Sequence, residues 1–510
     1  MLTRLKISGF KNLIDVDLRL GPFTCIAGAN GVGKSNLFDA IRFLSLLSDR
    51  PLNDAASCVR DESGKTPDIR SLFTRYGDEI ADEMSFKVEM IVPREGEDDL
   101  GQIAEATTTF LNYSLSLGYR SGNHMSSLGS LELLKEELVR IKKTDARNHI
   151  LFHNDKDWLN SVITGRRGKA PFISTVMDGG GSVIRLHQDG VQGKALSRSA
   201  EKLPRTVLSS TNAAESPTAL LARREMQSWR LLQLEPSALR QPDSFSAPSK
   251  LGSDGSHLPA TLYRLAQHEN TGERQAENIL KNSSRVYAQV ANRLSELIDD
   301  VRAISIDRDE KRELLTLFVE GKDNTRHAAR ALSDGTLRFL ALAIILQDPE
   351  SAGLLCMEEP ENGIHPERIP AMIRLLNDIA TDPGEPSGLD NPLRQIIVNT
   401  HSPSVVQQVT DDSLMLAELR EVRFKSEHSK GAVFSCLLDT WRADRTPSSE
   451  RPEICDRGKL LGYLNPALSK EHLPDYDLKS SKIRRRGYPA KSKRVIDRED
   501  IQPLKIPFPH

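Results

Sequence analysis

Gly28-Ala29-Asn30-Gly31-Val32-Gly33-Lys34-Ser35 follows the phosphate-loop pattern G-x-x-x-x-G-K-[ST]. Gly28, Gly31 and Gly33 let backbone N–H groups come close to phosphate oxygens, which then sit at a helix N-terminus. Lys34 carries the charge to neutralise β- and γ-phosphates, and the Ser35 hydroxyl is suited to ligating Mg²⁺. A chance match in a chain of this length occurs on the order of once in a hundred sequences. About three hundred residues further on, Glu358 and Glu359 directly follow an apolar run. At the end of a strand, one carboxylate of such a pair can hold a magnesium shell while its neighbour polarises the attacking water. His401, in Thr400-His401-Ser402-Pro403, can donate a hydrogen bond to a γ-phosphate.

The elements around these residues are those the chemistry needs. Phe23 to Ala27 reads as a strand running into the glycine loop, and Leu37, Ile41, Leu44 and Leu47 recur at helical spacing after it. Leu5 and Ile7, then Val16, Leu18 and Leu20, alternate as half-buried strands do. Ala352 to Met357 and Gln395 to Asn399 read as strands that end at the two glutamates and at Thr400. Leu337 to Ile345 and Ile369 to Leu376 read as helices, with Pro383 to Pro392 a turn-rich loop. This alternation of strands and helices implies an α/β core with a largely parallel sheet.

Between the two halves the pattern is weaker. Phe86 to Val92 reads as a strand, Leu131 to Ile141 as an amphipathic helix, and Ile173 to Val176 with Val183 to Leu186 as a hairpin about Gly179-Gly180-Gly181. The Ser-, Pro- and Ala-rich stretch from Ser197 to Ser256 reads as long surface loops. A long amphipathic helix carries Ile279, Val286, Val290, Leu294, Leu297 and Val301, without heptads sustained enough for a coiled-coil arm. Ala303 to Ile306 and Leu314 to Val319 read as strands. The expected division is 1–120, an N-terminal lobe; 121–270, an inserted helical and loop region; 271–416, a C-terminal lobe; and 417–510, a C-terminal extension.

With 510 residues, 38% hydrophobic and 27% charged, the chain has the composition of a soluble globular protein. The net charge of −2 points to no polyanionic partner. No apolar stretch approaches the ~20 residues of a membrane span, and the N-terminus lacks a secretory apolar region, so a cytoplasmic location is expected. Five dispersed cysteines with no C-x-x-C pair read as reduced thiols. A basic block (Lys479, Lys482, Arg484, Arg485, Arg486, Lys491, Lys493, Arg494) could bind nucleic-acid backbone or an acidic partner.

In order, the phosphate loop, Leu332-Ser333-Asp334-Gly335-Thr336, Glu358-Glu359-Pro360-Glu361 and Thr400-His401-Ser402-Pro403 resemble ABC-type ATPases of the RecF/SMC/OLD group, in particular the AAA_21 branch of OLD-like and abortive-infection ATPases. Ile7-Ser8-Gly9-Phe10-Lys11-Asn12 and Gly252 to Leu258 resemble further segments of that branch. The resemblance implies an ABC-type P-loop ATPase head, with ATP contacted by Asn30, Gly31, Gly33, Lys34, Ser35 and Asn36. It implies Mg²⁺ on Ser35 and Glu358, Glu359 as catalytic base and His401 as switch histidine. Ser333, Asp334 and Gly335 match the signature that caps ATP held by the opposite protomer, so a head-to-tail homodimer is implied. No Q-loop glutamine stands out: Asp68 to Phe73 lies near its expected place without one.

OLD-family nucleases add a metal-binding TOPRIM domain. Here Glu320 precedes the signature and Asp475-Tyr476-Asp477 follows no strand, so the C-terminal region reads as non-catalytic. The leading expectation is therefore a sensor or scaffold ATPase of anti-phage defence that controls a separately encoded nuclease or toxin. The alternative is a RecF- or SMC-like DNA-binding repair ATPase.

Overall fold

The structure is a computed structural model, describing residues 1–59, 68–77, 79–121, 129–165, 170–178, 181–189, 195–267, 275–424, 427–447, 450, 452–464 and 492–498. It is a mixed α/β fold built on two large sheets.

The first sheet has seven strands in the order Arg230–Leu232, Gly353–Glu358, Arg394–Thr400, Phe23–Ala27, Leu414–Phe424, Glu427–Cys436, Glu453–Ile454. The first five run parallel, and Glu427–Cys436 turns back against its predecessor. Phe23–Ala27 is buried at every position and so is Arg394–Thr400. Helices cover both faces of a parallel sheet, so its strands read as continuous apolar runs. Leu337 to Ile345, on the helix Asp334–Gln347, and Met372, Leu375 and Leu376, on the helix Ile369–Ile379, belong to the apolar core on one side. The helix Lys34–Leu47 packs on the other with Leu37, Ile41 and Leu44.

The second sheet is antiparallel throughout, in the order Leu196–Ser199, Gly181–Leu186, Ile173–Asp178, Ser130–Arg140, Phe110–Arg120, Glu83–Ile91, Leu2–Phe10, Leu13–Arg19. It shares a core with the phosphate-loop helix, where Phe10, Phe43 and Phe86 meet ring to ring. A smaller sheet pairs Val301–Asp309 with Leu314–Gly321; both contain strands the sequence predicts, but Val301, expected on the preceding helix, opens the first of them.

In the middle of the chain three expectations do not hold. Leu131 to Ile141 is not a helix: Ser130–Arg140 is a strand, with Leu131, Leu133, Glu136 and Leu138 buried. A register shift between Leu133 and Lys135 breaks the two-residue alternation. The step from Leu133 to Glu136 thus imitates helical spacing, and Leu, Glu and Lys favour helix locally until the sheet overrides them. The 121–270 segment, expected to be mostly helical, supplies four strands to the antiparallel sheet, which therefore crosses the supposed boundary at 120. Within Ser197 to Ser256, read as long loops, the helix Pro217–Gln227 is largely buried and Arg230–Leu232 is the edge strand of the parallel sheet.

The described part of the supposed C-terminal extension joins the core, since Leu414–Phe424 spans the 416/417 boundary beside the phosphate-loop strand. Arg442 is buried, donates to Arg19 O, Asp412 O and Thr24 Oγ1, and lies over the Trp441 ring. Of the basic block, only Lys493 and Arg494 are described, and Arg494 pairs with Asp497. Lys479 to Lys491 and Asp475-Tyr476-Asp477 lie outside the described residues. Glu320 sits on Leu314–Gly321 and pairs with Arg302. Among the described residues, no helix is long and apolar enough to cross a membrane.

Candidate nucleotide site

Three neighbouring parallel strands end side by side. Register pairs Ala27 with Thr400 and Asn399 with Glu358, so the phosphate loop, His401 and the two glutamates leave the sheet at one edge. This carboxyl edge is where open parallel sheets hold ligands. Asn30, Gly31, Gly33, Lys34, Ser35, Asn36, Glu358 and Glu359 line one cavity of about 410 Å³, together with Asn399. A larger cavity, of about 970 Å³, lies beside Pro22, Phe23 and Asn391, at the opposite end of the same strands. None of the phosphate-loop residues lines it, so we place the site in the smaller one.

The loop's glycines are set by contact and by backbone conformation. Gly33 has φ +111°, and a Cβ there would lie 2.7 Å from the Asn12 side chain and 2.8 Å from Ala432. A Cβ at Gly28 would lie 2.5 Å from Ala417 O. The Lys34 ammonium is buried and donates to Gly28 O at 2.6 Å and Ala29 O at 2.8 Å. Burial pushes its pKa down, and Glu359, Glu358 and Glu361 oppose that shift. Asn36 donates to Asn12 Oδ1 at 2.8 Å, while Asn12 donates to Val32 O and accepts from Ala432 N. The Gly9-Phe10-Lys11-Asn12 segment thereby braces the loop from behind.

Glu358 is the last residue of its strand, exposed, with Oε1 accepting from Asn399 Nδ2 at 3.3 Å. Glu359 has φ +45°, unusual for a side-chain-bearing residue. Its N–H bonds to Asn399 O at 3.0 Å, its Oε1 faces His401 Nδ1 at 2.7 Å and its Oε2 accepts from Asn362 at 2.9 Å. Burial raises its pKa, but Asn362, His401 and Lys34 outweigh that and hold it below the ordinary carboxylate value. Glu361, the last residue of the acidic motif and one to which the sequence assigns no role, is buried beneath the same loop. Its Oε1 accepts from Thr400 Oγ1, its Oε2 has no hydrogen bond among the described residues, and burial raises its pKa.

Ser333, Asp334 and Gly335 do not line this cavity. Ser333 caps the helix Asp334–Gln347 by accepting from Thr336 N. Gly335 lies against the loop after the glutamates, where a Cβ would meet Gly363 O at 2.1 Å. Arg338 ties the same helix to Asn362 O at 2.9 Å and Leu234 O at 3.1 Å.

The segment near Asp68 to Phe73 forms a short turn, Ile69–Leu72, whose Leu72 O accepts from Lys11 N. A glutamine does stand beside the glutamates: Gln233 follows the edge strand Arg230–Leu232 and lines a second cavity, of about 350 Å³, with Glu358 and Glu359. A three-residue strand in a stretch rich in serine and proline gives little periodicity by which to find it.

The AAA_21 family profile, described as "AAA domain, putative AbiEii toxin, Type IV TA system", matches residues 23–95 and 186–407, more than half of the chain. The chain belongs to the AAA_21 family. Local sequence similarity joins this AAA_21 chain to two curated proteins. It is 40% identical over 60 residues to the DNA replication and repair protein RecF of Paenarthrobacter aurescens (strain TC1), 12% of this chain and 15% of that protein. It is 51% identical over 41 residues to the OLD nuclease of Thermus scotoductus (strain ATCC 700910 / SA-01), 8% of each. The chain thus matches less than a sixth of the length of either relative. Among solved structures, an SMC head bound to the C-winged helix domain of ScpA aligns at 13% identity and TM-score 0.45, over 86% of this chain and 98% of that one. The SMC head domain from Thermotoga maritima aligns at 12% identity and TM-score 0.35, over 85% and 98%. The family match and the two local matches support an ABC-type, RecF/OLD-like ATPase.

Proposed function

We propose that the chain binds Mg-ATP in the cavity between the phosphate loop and the glutamates, and hydrolyses it as a head-to-tail homodimer. The observation that carries this reading is a division of parts. Lys34, Ser35, Glu358 and Glu359 share one cavity, whereas Ser333, Asp334 and Gly335 of the same chain stand outside it. A second copy has to bring its signature to the first copy's nucleotide.

The donor set fits the ligand. Lys34 has its charge at the cavity wall, and the loop amides at the start of Lys34–Leu47 offer donors to phosphate oxygens. Ser35 and Glu358, both exposed on that wall, would hold magnesium, which neutralises phosphate charge when bound. Glu359, kept ionised, would take the proton of the attacking water, while His401 orients it and faces the γ-phosphate. Gln233 would serve as the sensor on the edge strand.

In this reading the ATP-dependent dimer is a sensor or scaffold of bacterial anti-phage defence, acting on a separately encoded nuclease or toxin. Support comes from the family's description, with its putative toxin–antitoxin membership, and from the OLD nuclease match. A RecF-like role on DNA is the second reading, favoured by the RecF match. ATPase rate with and without duplex DNA separates the two: strong, salt-sensitive stimulation supports the DNA role, and none supports defence. Lys34→Ala should abolish ATP binding, and retained binding would refute the phosphate-loop assignment.

A further inference from the structure

Asp334 sits where the proposed dimer would bring up a triphosphate. An exposed carboxylate there would repel it, so its partner matters. Asp334 is 54% exposed, and Arg240 Nη2 lies 2.5 Å from its Oδ1. The same nitrogen donates to Leu332 O at 3.1 Å. These two bonds fix the guanidinium against the signature segment. Its Nε and Nη1 make no hydrogen bond among the described residues, and the side chain is 29% exposed. Arg338, the other arginine at this end of the helix, is spent on the carbonyls of Leu234 and Asn362. Among the described residues Asp334 has no other ion-pair partner.

We propose that Arg240 contacts a phosphate oxygen of the nucleotide bound by the second copy of this chain, with Asp334 as the residue that positions it. The inference rests on the head-to-tail dimer proposed above and adds a contact to it. A guanidinium held at Nη2 by two acceptors leaves Nε and Nη1 for another ligand, and its planar fork suits a phosphate better than an ammonium does. Asp334 is thereby converted from a repulsive group into a bracket. Arg240 follows the short helix Pro236–Leu239, so it reaches the signature from the edge-strand side that also carries Gln233.

The test is ATP-driven dimerisation of Glu359→Gln, followed by analytical ultracentrifugation, with binding of a fluorescent ATP analogue to the monomer in parallel. Adding Arg240→Ala should raise the protein concentration for half-dimerisation roughly tenfold or more, while monomer binding changes less than about twofold, which also shows the variant folded. Arg240→Lys should fall between the two, because it keeps the charge and loses the fork. If Glu359→Gln binds ATP and stays monomeric, the dimer reading fails and this contact with it. If Glu359→Gln dimerises and Arg240→Ala leaves that unchanged, only the Arg240 contact is overturned. If Arg240→Gln combined with Asp334→Asn dimerises like the parent, Arg240 merely neutralises Asp334 and the phosphate contact is again overturned.

Discussion

Gly335→Ala separates two reasons for a glycine in the signature. The added Cβ would lie 2.1 Å from Gly363 O and 2.7 Å from Gly363 C, both backbone atoms. Ordinary contact begins near 3.4 Å, so the helix start and the Pro360–His365 loop must separate by about 1.3 Å. Such overpacking costs about 1–3 kcal/mol, and disturbing the Arg338–Asn362 bond adds about 1 kcal/mol. For a chain of this length the melting temperature should fall by about 2–4 °C without nucleotide. The same loop carries Asn362, which holds Glu359 Oε2 at 2.9 Å. A displacement of about 1 Å at a catalytic group lowers turnover by about a hundredfold. The assays are a thermal melt of the nucleotide-free protein and steady-state phosphate release. An unchanged melt with lost phosphate release would refute the packing argument and leave the glycine serving only the partner's nucleotide.

Other perturbations follow from buried polar groups. Arg442→Ala should cost about 3–5 kcal/mol, seen in denaturant unfolding, because it strips two buried acceptors, one half-buried acceptor and a ring contact; a surface-like loss under about 0.5 kcal/mol would show that the C-terminal segment is not integral. Burial pushes Glu136 up to about 7, against hydrogen bonds from Leu208 N, Val207 N and Tyr113 Oη. Its protonated form is favoured in the fold, so its contribution is fully present below about 4.5 and is lost as pH rises through about 7. The stability gap between wild type and Glu136→Gln should therefore shrink by up to about 3 kcal/mol from pH 5 to pH 8, and a pH-independent gap counts against the shift. Thr400→Val removes the partner of Glu361 Oε1 while Oε2 has none among the described residues, so stability should drop by about 1–3 kcal/mol; an unchanged melt would mean the carboxyl finds a replacement.

How much of this could be read beforehand depends on where the signal lies. Phe23 to Thr400 contains the phosphate loop, the signature and the glutamates as contiguous runs, each dictated by local backbone chemistry. Their strands are apolar throughout because both faces are covered, so sequence located them to within a residue or two. Ser130–Arg140 reads as a helix because one bulge moves the period from two toward helical spacing. Arg230–Leu232 left no readable pattern, being three residues long and stabilised by its parallel pairing with Gly353–Glu358.

By itself the sequence determined an α/β core, the phosphate loop, the acidic pair and the separation of these parts along the chain. Tertiary structure alone decided which residues meet: Asn12 behind the loop, Gln233 beside the glutamates, Glu361 under Thr400, and Arg240 on Asp334. Those partners stand 24 to 126 residues apart, from Asn12 with Asn36 to Gln233 with Glu359. A motif is encoded by neighbours along the backbone and can be read from one stretch. A long-range pair is chosen by sheet order and packing, which no single stretch of the chain contains.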